Sequence, residues 1–382
     1  MTSPTVSPAV SDDVDWRERG REYADASERW QIVYERFVAA DKQKQRTLIL
    51  SGYGASLSVR RDCLIVQDGT ISTRPDAVTL YRGVHGVARI IVLTDTGSIT
   101  FDALRWCREQ HITVLLLDYR ADLCATLLPD GEQSDAVLRR AQYLAHERGT
   151  AVQITQELVR RKIRSQAATL HAYFPTDDHG ADVLRSSLAW LEMATPPPWL
   201  CQIDKLLSLE GRCANAYFES WKGFPLKWAK PDISARKIPP HWLAFTGRAS
   251  PLAPWENARH AVAPFNAVLN YAYSLLEAQT RLALLKVGFD PACGFLHVDR
   301  RNHEALVYDL MECHRAEVDA LALAFFKKTT LHAGDIIKMQ DGSCRAHPAL
   351  ARYIVASCRV KQSAIDKTVR DVRDLLVKDG DR

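Results

Sequence analysis

The sequence predicts an α+β multidomain protein, in which a small β-sandwich-like N-terminal domain is followed by a larger all-α domain. Two observations carry this prediction. Short runs of β-branched and apolar residues with a period of two fill residues 47–118, separated by Gly, Asp and Ser turns. After Glu132 the apolar period becomes that of an α-helix and continues to the end of the chain. The 382 residues are enough for two domains with separate cores.

Residues 1–46 form an N-terminal extension. Its first 14 residues are dominated by Ser, Thr, Pro and Asp, so we expect them to be disordered. From Asp15 to Gln45, aromatic and aliphatic residues recur every three or four positions among charged ones. This pattern predicts a short helical hairpin that packs on the body of the protein or, less favoured, on a partner.

The β-rich domain is predicted to span residues 47–130. Its strands are expected in the segments TLIL, ASLSV, CLIVQDG, VTLY, RIIVLTDTGSIT and TVLLLD. Within this set, TDTGS is typical of a tight hairpin loop, and one amphipathic helix is predicted from Phe101 to His111. The Pro-Asp-Gly sequence at 129–131 is a natural boundary to the next domain.

Residues 131–382 are predicted to be helical, with a basic helix at the C-terminus. The expected helices are 134–148, 150–173, 181–194, 200–222, 264–287, 303–327, 347–359 and 362–378. Two irregular segments interrupt them: the Pro-rich residues 223–263, and residues 288–302 with the turns GFDP and GFLH. Long irregular segments within a compact helical domain are often functional.

The composition narrows the class of protein. The net charge is only +4, so any surface that binds nucleic acid has to be local. The nine cysteines include no C-x-x-C pair, which argues against a structural zinc site or a disulfide framework and favours a reducing compartment. No apolar run is long enough to span a bilayer, and the N-terminus lacks the features of a signal peptide. We therefore predict a soluble cytoplasmic protein.

Acidic residues and a histidine stand among apolar residues at three places. Asp309 and Glu312 share one face of an apolar helix, where an unpaired carboxylate is costly to bury. Glu210 lies on the apolar stripe of an earlier helix, and His297 closes the second glycine turn. Two carboxylates and an imidazole that converge would suit Mg²⁺ or Mn²⁺, with open positions for water and phosphate oxygens.

Each of these residues also has a purely structural interpretation. Glu210 can mark the end of a surface stripe, and His297 can hydrogen-bond the backbone of its own turn. The acid pair can form a buried ion pair with Arg315 or Arg281. Spacing alone leaves both interpretations open, because it does not show that the three places meet in space.

A second feature is the basic segment of residues 221–242, which contains one acid, Asp232. Its cations are Lys222, Lys227, Lys230, Arg236 and Lys237. Trp221, Trp228 and Trp242 alternate with them, and cations beside stacking planes are typical of single-stranded nucleic-acid sites. The alternative is a solvated basic face whose Trp residues anchor the loop. A further basic run on a predicted helix comprises Arg160, Arg161, Lys162 and Arg164.

Several motifs in a fixed order resemble those of the CRISPR-associated spacer integrases, the endonucleases of the CRISPR adaptation module. They are LSGYG with LSV at 50–59, LEGRCANAYF around Glu210, FTGR at 245–248, PFNAVLNYAYSLL at 264–276, GFDPACGFLH at 288–297 and LVYDLMECHR at 306–315. The resemblance covers residues 47 to about 360, most of the chain. Residues 1–46 have no counterpart in the family.

The resemblance implies a catalytic role for the helical domain. It implies that Glu210, His297 and Glu312 hold Mg²⁺ or Mn²⁺, with Asp309 as a supporting acid. It also places Arg248 and Asn266 near the DNA or the site. Together with the cations of the basic segment, these two residues are the DNA-binding candidates. The implied reaction is the insertion of a short spacer duplex into a CRISPR repeat array by attack of its 3′-hydroxyls on a phosphodiester.

The resemblance implies partners as well. Family members are similar in forming homodimers through the β-rich domain, and two dimers bridge a small ferredoxin-like dimeric protein of the adaptation module. The alternative function is a related nuclease or transposase that acts on branched or single-stranded DNA outside a CRISPR array. A non-catalytic DNA-binding subunit is a third possibility, against which the complete set of acids and histidine argues.

Overall fold

The computed structural model of the chain describes residues 16–41, 46–70, 76–118, 122–248, 260–297 and 304–380. The predicted disorder of residues 1–14 lies outside these ranges. Strands dominate the first part of the described chain and helices the remainder, so the α+β class is confirmed. Among the described residues, no helix combines the length and the hydropathy that a bilayer crossing requires.

The N-terminal strands form two four-stranded sheets. Strands β1 to β8 span Thr47–Ser51, Ala55–Arg60, Cys63–Gln67, Val78–Leu80, Arg89–Leu93, Gly97–Ile99, Thr113–Leu117 and Leu123–Leu127. The first sheet has the order β1-β5-β7-β8 and is parallel except at β8, and the second has the order β4-β3-β2-β6. The TDTGS loop therefore joins β5 of one sheet to β6 of the other, and the predicted hairpin is wrong. In a hairpin, two consecutive strands pair with each other, whereas β5 pairs with β1 and β7.

Strands β1, β5 and β7 of the first sheet are buried on both faces, which explains their continuous apolar sequences. Val92 belongs to the cluster that joins this sheet to Leu57 and Leu64 of the second sheet. Its neighbour Ile91 points to the opposite face and belongs to the core of the helical region, together with Leu115. The strands therefore connect the two cores, because successive side chains of a strand point to opposite faces.

Helices fill most of the remaining described chain. Helices α1 to α11 span Trp16–Ala39, Phe101–Glu109, Ala136–Arg148, Thr150–Tyr173, Asp178–Leu191, Ile203–Glu219, Lys230–Ser234, Pro264–Val287, Ala305–Lys328, Pro348–Ser357 and Gln362–Gly380. The predicted helices 150–173 and 264–287 coincide with α4 and α8. Both are bounded by glycine or proline: Gly149 precedes α4, Pro264 begins α8, and Gly288 ends α8 with a φ of 100°.

Helix α1 replaces the hairpin expected before residue 46. It is one continuous helix in the described residues, and it packs on the body of the protein. Trp30 is buried, and its Nε1 donates a hydrogen bond to Asp335 Oδ1 at 2.7 Å. Arg29 pairs with the same carboxylate. These contacts bury one face of a single helix, so a second antiparallel helix is not needed to cover it.

The expectation that the C-terminal region is all helical is wrong in detail. Strand β9, Lys227–Trp228, pairs in parallel with β10, Thr330–Leu331. Strands β11 and β12, Ile336–Lys338 and Cys344–Ala346, form an antiparallel pair. The segment that includes β9 is rich in proline and cannot form a long helix, so part of its buried backbone bonds to a neighbouring segment instead.

Three helices place the residues of the candidate site. Helix α8 is apolar on all sides and runs through the core, and α9 packs against both α4 and α8. A helix that is apolar all round is a buried helix. On α9, the acids Asp309, Glu312 and Asp319 lie in the interior and require partners.

Candidate active site

Asp309 of α9 holds the turn that carries His297. The carboxylate is completely buried, and it accepts hydrogen bonds from the backbone N–H groups of Phe295 at 2.5 Å and of Leu296 and His297 at 3.0 Å. Its Oδ1 also accepts from Nδ1 of the His297 ring at 2.6 Å. Asp309 thus fixes the ring, and Nε2 is the nitrogen that a ligand would meet.

The turn itself is clamped from the other side by α3. The buried Gln142 donates from Nε2 to the carbonyl oxygens of Asp290 and Cys293 at 2.8 and 2.7 Å, and its Oε1 accepts from the Asp290 N–H. Gly294 packs so closely on α9 that a Cβ there would lie 2.7 Å from the Ala305 Cβ. The glycine in this turn therefore allows the approach that brings His297 to Asp309.

Glu210 and Glu312 meet at a single ammonium group. Lys162 of α4 contacts Glu210 Oε1, and its Nζ lies 2.6 Å from Glu312 Oε2. Arg315, one turn along α9, lies 3.0 Å from the other oxygen of Glu312. Burial alone would raise the pKa of Glu312, but Arg315 and Lys162 lower it to about 2. The tertiary structure therefore brings α4, α6 and α9 together at one cluster of charges.

His297 belongs to the same electrostatic environment. The hydrogen bond that Asp309 accepts raises the pKa of His297, and the negative charges of Glu312 and Glu210 raise it further, while partial burial opposes them. All three residues predicted to hold a metal therefore influence one another. In the described part of the chain, however, no group of three or more His, Cys, Asp or Glu side chains has the spacing of a metal centre.

The glutamates are not spaced as in a metal centre because the ammonium of Lys162 lies between them. Glu312 Oε2 is buried, and among the described residues its contact is the ion pair with Lys162. A buried carboxylate oxygen with only an ion-pair contact is a good ligand for a hard divalent cation. Two carboxylates and one imidazole fit Mg²⁺ or Mn²⁺, provided that Lys162 moves away from between them.

A second buried acid lies two turns along α9 from Glu312. Asp319 accepts hydrogen bonds from the hydroxyls of Tyr217, at 3.0 Å, and Tyr273. The ring of Tyr273 in turn contacts two guanidinium groups, those of Arg248 at 5.2 Å and Arg315 at 5.1 Å from its centroid. Burial raises the pKa of Asp319 to about 6. Tyr217 is therefore a core residue, and the Tyr273 ring connects Arg248 to the Glu312 cluster.

Arg248 and Asn266, two DNA-binding candidates, contact each other. Arg248 Nη1 donates to Asn266 Oδ1 at 3.0 Å, and Asn266 Nδ2 donates to the Gly247 carbonyl oxygen at 2.9 Å. Asn266 is buried at the start of α8, whereas Arg248 is half-buried. The structure thus makes Asn266 an anchor of the FTGR turn and leaves Arg248 at its edge.

The tryptophans of the basic segment are not available as stacking planes for nucleic-acid bases. Trp221, Trp228 and Trp242 are all buried, and the rings of Trp228 and Trp242 stack on each other at 5.9 Å. Of the two interpretations that the sequence left open, the structure bears out the one in which the tryptophans anchor the loop. Burial of a large apolar ring is more favourable than its exposure, and the three rings anchor the loop to the core.

The cations of the same segment differ in their partners. Lys222 pairs with Glu219 at 2.7 Å, and Lys237 pairs with two glutamates of α1. Lys227 donates to a backbone carbonyl oxygen of α9 at 2.7 Å. Lys230 and Arg236 are exposed. The positive charge of this segment is therefore partly neutralised within the protein, and the charge available to a ligand is smaller than the sequence indicates.

The sequence shows Lys162 as part of a basic run on one helix and does not predict its contact with the two glutamates. Its neighbours Arg160 and Arg161 pair with Glu157, and Arg164 pairs with Glu192. Lys162 itself is buried. The helical period identifies it, because it shares the inward stripe of α4 that includes the buried Leu158, Val159, Ile163 and Gln166.

The chain matches known proteins over most of its length. A family model described as CRISPR associated protein Cas1 matches residues 48–358. The chain is 30% identical to the CRISPR-associated endonuclease Cas1 2 of Rhodospirillum rubrum over 279 residues, 68% of this chain and 71% of that protein.

The fold also resembles solved structures. It is similar to a casposase bound to its integration product, with a TM-score of 0.69, 24% identity and coverage of 87% of this chain and 91% of that one. It is similar as well to a chain of a Cas6-RT-Cas1–Cas2 complex, with a TM-score of 0.60, 18% identity and coverage of 87% of this chain and 35% of that one. At these identities the likeness concerns the fold.

Proposed function

Because the chain belongs to the CRISPR associated protein Cas1 family, we propose that it is a metal-dependent DNA endonuclease and integrase. The reaction is the insertion of short spacer DNA into a CRISPR repeat array by 3′-hydroxyl attack on a phosphodiester. The observation that carries the proposal is the meeting of Glu210 and Glu312 at one cation position beside His297. Relatives that carry the name endonuclease support the nuclease part of it.

Glu210, Glu312 and Nε2 of His297 are the groups that would hold Mg²⁺ or Mn²⁺. When bound, such an ion neutralises charge on the reacting phosphoryl group and lowers the pKa of the attacking hydroxyl. Asp309 keeps the His297 ring in place through Nδ1. Arg315 holds one oxygen of Glu312 and so sets the orientation of that carboxylate.

The protein contributes mainly position and charge, as expected for in-line phosphoryl transfer. Lys162 has a double role in this proposal. It compensates Glu210 and Glu312 in the metal-free protein, and it becomes an additional cation for a phosphate oxygen once it leaves the two carboxylates. The exposed Lys230 and Arg236, with Arg248, are the cations that we assign to the DNA backbone.

We also propose that the protein acts as a homodimer with a small ferredoxin-like partner protein. The fold likeness to a chain of a complex that includes Cas1 and Cas2 supports this assembly. The dimer contact is proposed for the β-rich region of residues 47–130. Native mass spectrometry of the chain alone and with the partner tests both statements, and a monomer that ignores the partner contradicts them.

A strand-transfer assay tests the activity. A short duplex with free 3′-hydroxyls is mixed with a plasmid that carries a repeat array, or with one that lacks it, in Mg²⁺ or Mn²⁺. We expect covalent product with the repeat plasmid, and none in EDTA. Glu210→Ala and His297→Ala are expected to abolish product because each removes a ligand of the ion.

Matched controls keep the assay specific to the site. Glu219→Ala removes an exposed acid of the same helix, and His111→Ala removes an exposed histidine. Both are expected to retain activity. Product that persists in Glu210→Ala and His297→Ala would show that the site is assigned wrongly. Equal product on both plasmids would favour the alternative of a nuclease or transposase outside an array.

A further inference from the structure

A cavity of about 820 Å³ lies between the first sheet, the end of α8 and the start of α11. The residues assigned to catalysis do not line it. Five cations do, together with one carboxylate, Asp41. The cations are Arg46, Arg89, Lys286, Arg359 and Lys361. A cavity with this excess of positive charge attracts anions, because its walls focus the field of the cations.

The cations divide into a floor and a rim. Arg89 at the start of β5 and Arg359 before α11 are half-buried, while Arg46, Lys286 and Lys361 are exposed. Arg89 Nη2 donates to Gln362 Oε1 at 3.0 Å, and Arg359 Nη1 donates to Thr47 Oγ1 at 2.9 Å. Both floor guanidiniums therefore bond to neutral oxygens. Each retains further N–H donors, since a guanidinium carries five.

Within the part of the chain that the structure describes, no ion pair neutralises the positive charge of the floor. Among the described residues, no carboxylate lies within ion-pair distance of Arg89 or Arg359. Burial lowers the pKa of Arg89 to about 10, and repulsion from Arg359 lowers it further, against a smaller opposing effect of Asp366. Two half-buried cations that repel each other raise the free energy of the empty cavity, and an anion between them lowers it.

Helix α11 adds to the same field. Its first residues, Gln362 and Ser363, line the cavity, so the N-terminal end of a long helix contributes partial positive charge there. The proposed catalytic cluster of Glu210, Glu312 and His297 has a different charge balance, because Lys162 and Arg315 already contact its carboxylates. The cavity is a second site with the opposite ligand preference.

We propose that this cavity binds a terminal phosphate group, held between the guanidiniums of Arg89 and Arg359. A guanidinium binds phosphate oxygens through parallel N–H donors, and a terminal phosphate offers three such oxygens. The two arginines are recessed behind the exposed rim, which suits the end of a ligand better than the continuous backbone of a duplex. The phosphate is that of a free phosphate or nucleotide, or of a DNA strand end. The inference does not rest on the proposed integrase activity.

Isothermal titration calorimetry in EDTA tests the proposal, because EDTA removes any metal-mediated phosphate binding at the catalytic cluster. The titrants are inorganic phosphate, AMP, and a short single-stranded oligonucleotide with either a 5′-phosphate or a 5′-hydroxyl. We expect phosphate binding to the wild type. Arg89→Gln and Arg359→Gln are each expected to weaken it by about 10- to 100-fold, the loss typical of a charged hydrogen bond.

The oligonucleotides identify the source of the phosphate. A 5′-phosphate that tightens oligonucleotide binding in the wild type, but not in Arg89→Gln, supports a DNA strand end. Binding of phosphate or AMP without that difference supports a free ligand. Phosphate that does not bind the wild type, or binds Arg89→Gln and Arg359→Gln as tightly as the wild type, overturns the proposal.

Further variants keep the test decisive if a floor variant fails to fold. Lys286→Gln and Lys361→Gln change exposed side chains of the rim, so the fold is retained. Together they are expected to weaken phosphate binding by about three- to tenfold through lost electrostatic attraction. Arg105→Gln is the matched control: it removes an exposed arginine outside the cavity that pairs with Asp102, and it leaves binding unchanged. Unchanged binding in the rim variants counts against the proposal.

Discussion

The proposed catalytic cluster and the basic cavity differ in how their charges are balanced. In the cluster, Lys162 lies between the half-buried Glu210 and the buried Glu312, so the protein supplies its own cation. In the cavity, Arg89 and Arg359 meet neutral oxygens, and the protein supplies no ion-pair partner from its described residues. A ligand of the cluster therefore has to compete with a side chain, whereas a ligand of the cavity balances a positive charge that the described residues leave unpaired.

The largest effect on strand transfer is expected from removing the negative charge of Glu312. Glu312→Gln keeps the shape of the side chain but removes a proposed ligand of the metal. We expect strand transfer to fall by about 10³-fold, the upper end of the loss for a single electrostatic group. Glu317→Gln, an exposed position of the same helix, is the control. Equal activity of the two variants would contradict the assignment of Glu312.

Lys162→Met tests the internal cation directly. Without the ammonium, the buried carboxylate of Glu312 and the half-buried one of Glu210 repel each other, and the metal-free protein is expected to lose about 3 kcal/mol of its free energy of unfolding. Added Mn²⁺ is then expected to stabilise the variant more than the wild type, because the ion no longer competes with Lys162. Thermal unfolding with and without Mn²⁺ measures both effects.

The matched control for this experiment is Arg164→Met, which removes an exposed cation two residues further along α4. Its stability is expected to change little, since exposed ion pairs contribute only about 0 to 1 kcal/mol. A Lys162→Met protein with wild-type stability in EDTA would show that the ammonium does not compensate the glutamates.

Asp319 gives a pH-dependent test of the buried charges behind the cluster. Its folded-state pKa, about 6, is above the ordinary value of 3.8. The folded protein therefore holds the proton more tightly, and this stabilisation is complete below the ordinary pKa and is lost as the pH rises through about 6. The shift corresponds to a loss of about 3 kcal/mol.

Asp319→Asn removes that titration while it keeps a hydrogen-bond acceptor for Tyr217 or Tyr273. Urea unfolding at several pH values between about 4 and 7 is the measurement. Relative to the variant, the wild type is expected to lose stability as the pH rises. Parallel stability curves for the two proteins would rule out a raised pKa at Asp319. Asp182→Asn, an exposed position, controls for a general charge effect.

The smallest effect is expected from a substitution that weakens the support of the His297 ring but removes no proposed metal ligand. Asp309→Asn retains an oxygen for the turn but weakens the contact to Nδ1 of His297. Residues that orient a metal ligand typically contribute about 10- to 100-fold to metal affinity, so we expect Mn²⁺ binding to weaken by that factor. Mn²⁺ affinity measured by electron paramagnetic resonance checks this, and wild-type affinity would contradict the role of Asp309.

Local patterns predicted much of the fold. The apolar period located α4 and α8 at their observed bounds, because helix formation depends on residues three and four apart. The same logic placed Asp309 and Glu312 on a buried helix. It failed at TDTGS, where turn residues predicted a hairpin, since a loop sequence does not specify which strands pair. It left the role of Trp228 and Trp242 open, because their burial depends on the rest of the core.

The candidate site divides in the same way. The resemblance to the spacer-integrase family identified Glu210, His297 and Glu312 as a set, and the glycine turns before His297 indicated a close approach. Only the tertiary structure decided that Lys162 lies between the two glutamates and that Arg89 and Arg359 have no acid partner among the described residues. The physical reason is range: helical and strand periods arise between near neighbours in the chain, whereas charge balance depends on side chains that folding brings together from distant segments.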